Sequence, residues 1–139
     1  MPSPSEEEVL SANEAFYAAF QRHDARSMEE LWASEAPVAC LHPGWEPLLG
    51  REAVIRSWRG ILLGGGAPES IRCERAHAHV YGDAAFVICA EVVPGVEMAA
   101  TNFFVRERGR WRMTHHHSSP IARRAPAPPP PSAPGGLPN

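Results

Sequence analysis

His42, Pro43, Gly44 and Trp45, within the stretch ACLHPGWEPLLG (39–50), concentrate more chemistry than any other short run of the chain. An apolar, strand-like segment stops at an imidazole, and the Pro-Gly pair ends it, because proline fixes φ and glycine permits φ > 0. The last strand side chain is thereby aimed away from the backbone ladder. A second imidazole cluster, His115, His116 and His117, closes the final segment of alternating hydrophobicity. Imidazoles titrate near neutral pH, so histidines at two strand ends of one small domain suit a polar spot in a mostly apolar pocket.

Positioning these groups requires elements on either side of them. Ser5 followed by Glu8 predicts a capping box, and Val9, Ala12, Phe16, Ala19 and Phe20 fall on one stripe, which predicts a helix over 5–22. Asp24 caps a shorter helix through Met28, Leu31 and Trp32, and 36–42 reads as a strand. A third helix over 51–63 carries Val54, Ile55, Trp58, Ile61 and Leu62, and Gly64–Gly66 ends it. The period then changes. Segments 70–80, 83–93, 98–108 and 110–119 are strand-like, with Gly82–Asp83, Pro94–Gly95 and Gly109 as turns. The expectation is α+β: a curved antiparallel sheet wrapped around three N-terminal helices.

The turns set the register. Across Pro94–Gly95, Glu91 faces Met98, Cys89 faces Ala100 and Val87 faces Asn102. Across Gly109, Asn102 nears His115 and Phe104 nears Met113. One face then collects Cys89, Glu91, Asn102, Phe104, Met113, His115 and His117, apolar at one end and polar at the other. A bulge or a one-residue slip would put His116 there in place of His115 and His117. An isolated strand carboxylate such as Glu91 is more often paired to an arginine than functional. Trp32 and Trp58, at helix-stripe spacing, read first as core. The opposite face carries Phe86, Ile88, Val92, Phe103 and Val105, an apolar strip that predicts a homodimer.

Composition bounds the partners. A chain of 139 residues with 44% hydrophobic content is sized for one core, and its net charge of −3 gives no reason to expect nucleic acid or an anionic membrane. No apolar run approaches membrane-spanning length, and three widely spaced cysteines do not form a disulfide framework, so a cytoplasmic protein is expected. The division expected is a lead over 1–7, a domain over 8–120 and a Pro-rich, disordered tail over 121–139.

The element order, FYAAFQRHDARSMEELWA in the first two helices, HPGW, the GREAVIRSW helix, the TNFF strand and the WRMTHHHSSP ending are similar to the SnoaL-like branch of the nuclear transport factor 2-like superfamily, which includes ketosteroid isomerase. The resemblance covers roughly 8–120. It implies a cone-shaped, cystatin-like α+β roll with a pocket between sheet and helices, commonly dimeric through the outer sheet face. The isomerase's oxyanion tyrosine falls at Phe16, beside Tyr17, its general-base aspartate at His42, and its protonated aspartate at Asn102. Without the tyrosine and the acid in register, the steroid-isomerase device is not carried over.

Three functions stay open. One is cofactor-independent isomerase, cyclase or dehydratase chemistry on a small apolar or carbonyl-bearing molecule. Here His42 is the base, Asn102 the carbonyl-polarising donor, and His117 or Glu91 orients the base; the walls are Phe16, Tyr17, Trp32, Trp45, Trp58, Cys89, Phe104, Met113 and His115. The second is a non-catalytic ligand-binding or protein-interaction module of the same shape. The third is a metal site at His42, His115 and His117.

Overall fold

The computed structural model describes residues 1–122. Helix α1 spans Pro4–Gln21, α2 Ala25–Leu31 and α3 Arg51–Leu63; the strands are β1 Ala39–Leu41, β2 Leu48–Leu49, β3 Arg72–Tyr81, β4 Ala84–Val93, β5 Val96–Glu107 and β6 Arg110–Pro120. They form one six-stranded sheet in the order β2-β1-β6-β5-β4-β3, wrapped around the helices as an α+β cone. The expected tail falls outside the described residues from 123 onward. Among the described residues no helix is long and apolar enough to cross a membrane.

Local signals explain most boundaries. The capping box forms two residues earlier than expected, between Ser3 and Glu6, because Pro4 suits the first helical position, where no N–H is needed. Asp24 caps α2 by accepting from the Ser27 N–H, and α3 runs over its expected residues. The meander pairs as the turns dictate, with Val87 opposite Asn102, Cys89 opposite Ala100 and Glu91 opposite Met98.

Strand pairing departs from the expected antiparallel meander at β1 and β2, in β6, and in β3, whose register against β4 shifts between Glu74 and His77. Strand β1 docks on β6 in parallel, with Cys40 opposite His116, and the unforeseen two-residue β2 pairs with β1. Strand β6 also bulges: Phe103 pairs with His115 while Phe104 pairs with Met113, leaving Thr114 over. A bulge inverts the alternation beyond it. The core lies between helices and sheet, where Phe16, Met28, Trp32, Val54, Trp58 and Met113 are fully buried.

Candidate functional site

The bulge decides which imidazole faces inward. His116, not His115 or His117, lies opposite Asn102 and is 1% exposed, while His117 is exposed on the outer face. His115 is outward too, its Nδ1 3.1 Å from the Ala39 carbonyl oxygen. The placement of His115 and His117 in the pocket is therefore corrected, and so is a metal site with His42, which sits on the inner side. Among the described residues no group of three His, Cys, Asp or Glu is placed to hold a metal ion.

His116 belongs to a continuous buried network. The Asn102 amide donates to Asn13 Oδ1 at 2.8 Å and to the Tyr17 hydroxyl at 3.1 Å, and the Tyr17 hydroxyl donates to Glu91 Oε2 at 2.7 Å. Both Asn102 N–H groups are thus committed, and its Oδ1 accepts from His116 Nδ1 at 2.6 Å. That assigns the His116 tautomer: the proton sits on Nδ1, and the Nε2 lone pair lies 3.6 Å from Glu91 Oε2. Asn102 is consequently a strut behind the site, with no donor left for a ligand. Asn13 was readable as the polar residue on the apolar stripe between Val9 and Tyr17, one helical turn before the tyrosine.

Burial sets the proton inventory. Glu91, 1% exposed, has no arginine partner among the described residues, and burial raises its carboxyl above the ordinary carboxylate value although the Tyr17 and Ser118 hydroxyls oppose the rise. Burial first, then the neighbouring imidazoles, lowers His116 to about 3. Both directions favour the neutral pair, with the proton on the Glu91 carboxyl, over a carboxylate beside an imidazolium. Tyr17 is raised well above its ordinary range by burial and by Glu91, so its hydroxyl stays protonated as a donor.

His42 reaches the same cavity from the other side. Alternation along β1 turns Cys40 and His42 inward, and the Pro43–Gly44 turn, with Gly44 at φ 80° and the Trp45 N–H on the His42 carbonyl at 2.9 Å, ends the strand there. The Ser57 hydroxyl donates to the Val54 carbonyl at 2.7 Å, so it accepts from His42 Nε2 at 2.9 Å. The lone pair of His42 is therefore on Nδ1. Burial lowers this imidazole to about 4, which keeps it neutral at pH 7.

Glu91, His116, Ser118 and His42 line a cavity of about 530 Å³ with apolar walls that include Phe20, Trp45, Trp58, Ile61 and Met98. Of the other expected wall residues, Phe16, Tyr17, Trp32, Cys89, Phe104 and Met113 are buried core and do not line it. The interior of the cone is filled where those residues pack, and this cavity lies beside the HPGW turn. A larger hollow of about 650 Å³, near Ala39, Leu49, Phe103 and His115, holds no buried ionisable residue.

The profile of the SnoaL-like domain matches residues 9–123. The chain belongs to the SnoaL-like family. An NTF2-like protein from Streptomyces avermitilis, provisionally assigned as a dehydratase, is 33% identical with a TM-score of 0.79, the alignment covering 88% of this chain and all of that one (100%). A Thiobacillus denitrificans protein, provisionally assigned as a calcium/calmodulin-dependent protein kinase type II association domain, is 34% identical with a TM-score of 0.69, over 88% and 98% of the two chains. The F-box protein SKIP8 of Arabidopsis thaliana is 28% identical over 113 residues, 80% of this SnoaL-like chain and 48% of that protein. The chain spans about half the length of this curated relative.

Proposed function

We propose that the cavity is a proton-transfer site for a small carbonyl-bearing molecule, of the isomerase, cyclase or dehydratase type, needing no cofactor. The observation that carries this reading is the Tyr17–Glu91–His116 chain opening on a cavity that His42 also lines. The protonated Glu91 carboxyl supplies a donor to a carbonyl oxygen, in the role expected of Asn102. The Nδ1 lone pair of His42 receives a proton from the adjacent carbon. An imidazole lowered to about 4 is a weak base, so it acts on a carbon whose proton is made acidic by the hydrogen bond at the carbonyl. Exchange should rise above about pH 4, as His42 loses its proton, and fall where Glu91 ionises.

The likeness to the Streptomyces avermitilis protein supports this class. The apolar outer strip supports a homodimer: Phe86 and Phe103 rings lie 5.5 Å apart, and Ile88 and Phe103 are exposed. Three free thiols suit the cytoplasm. The test is deuterium uptake from heavy water into an enolisable ketone, followed by NMR. Exchange above the uncatalysed rate that drops about 100-fold or more in Glu91→Gln supports the proposal. Saturable binding with no exchange contradicts it and leaves a ligand-binding module.

A further inference from the structure

The polar side chains that reach the cavity are one buried carboxyl, Glu91, the imidazoles of His42 and His116 and the Ser118 hydroxyl, and among the described residues no arginine lines it in a chain without lysine. The carboxyl of Glu91 is 1% exposed and bonded to Tyr17, so a ligand anion beside it would meet a buried acid and no counter-charge. A ligand cation would lose its water against apolar walls and meet no exposed carboxylate, Glu91 being 1% exposed. Aromatic walls favour flat, apolar ligands, and one of those walls differs from the rest. Trp58 is fully buried, its ring held edge-on by Phe16, Phe20 and His42. Trp45 instead is 49% exposed, on the Pro-Gly turn, and meets the His42 ring edge-on at 4.8 Å. Much of its indole surface has no protein neighbour, although it borders a cavity that could cover it.

We propose that the cavity selects uncharged, aromatic carbonyl compounds over carboxylates and ammonium compounds of the same size, and that Trp45 determines this specificity by closing over the bound ring. The proposal rests on the proton-transfer reading for the location of the site and adds the class of ligand. Selection follows from the wall: an uncharged carbonyl accepts from Glu91 without a buried charge being created, and its ring gains contact with the half-exposed indole. Trp45 touches ligand and takes no part in moving the proton.

Three probes of one shape separate the charges: acetylnaphthalene, naphthoate and naphthylmethylammonium, titrated by calorimetry into the full chain at pH 7. The expected result is binding of the ketone, with the acid and the ammonium weaker by about tenfold or more. Trp45→Ala should weaken the ketone by about tenfold, Trp45→Phe should restore most of it, and circular dichroism should show both folded. Equal or tighter binding of naphthoate or of the ammonium, or no binding of any probe, overturns the proposal. An unchanged ketone affinity in folded Trp45→Ala removes Trp45 from it. Ketone binding without deuterium exchange would instead contradict the proton-transfer reading alone, since affinity is measured separately from turnover.

Discussion

His116 and His117 are adjacent and chemically identical, yet they occupy opposite worlds. The first is enclosed between Asn102 and Glu91, its proton assigned by a hydrogen-bond chain running back to Asn13. The second stands in solvent on the outer face, its ring 6.3 Å from that of His115. What separates them is one pleat of the strand, and what selects between them is the extra residue at Thr114. Residue type alone therefore says little about an imidazole's chemistry; the side of the sheet determines whether it stands in solvent or is enclosed in a buried hydrogen-bond chain.

The largest contrast is in stability. His116→Ala leaves Asn102 Oδ1 without its donor and opens a hole beside a buried carboxyl, and should cost about 3 kcal/mol. His117→Ala should change stability by no more than about 0.5 kcal/mol, as surface substitutions do. Urea denaturation of the two variants checks this, and equal costs would break the comparison.

A smaller effect appears in acid. The ordinary value of 6.5 for His42 and His116 drops to about 4 and about 3, so their contribution to stability is full above 6.5 and is lost as pH falls towards those values. Glu91 is raised, so its contribution is present below the ordinary 4.5 and is lost as pH rises through the folded value. Between about pH 4.5 and 6 the unfolded chain binds up to two more protons at these imidazoles, so stability rises with pH there by up to about 2.7 kcal/mol per pH unit, and Glu91, raised in the folded chain, opposes that rise. Glu91→Gln removes the opposing contribution and should steepen the acid slope. A slope unchanged by the substitution would mean that Glu91 carries no extra proton in the folded chain.

Much of this was legible in the sequence where the physics is local. Hairpin turns determine register by their geometry, which is why Glu91, Cys89 and Val87 found their partners across Pro94–Gly95. Strand β1 and the Pro-Gly turn place His42 on the wall of the cavity. The bulge left no such mark, because threonine sits comfortably in a strand and nothing around Thr114 announces an extra residue. The parallel docking of β1 on β6 is a long-range pairing that no turn specifies. Tyr17 supplies the hydroxyl that Phe16 lacks, and it reaches Glu91 from the next helical position, both rings being buried in the core.

The claim on which the rest depends is that Glu91 keeps its proton beside the unprotonated Nε2 of His116. Infrared difference spectroscopy between the unmodified protein and Glu91→Gln at pH 7 reads this directly. The expected spectrum contains a protonated carboxylic acid C=O band that is absent in the variant and is lost from the unmodified protein at a pH above the ordinary carboxylate value. A difference spectrum containing only ionised carboxylate bands would show Glu91 deprotonated at pH 7 and contradict the account.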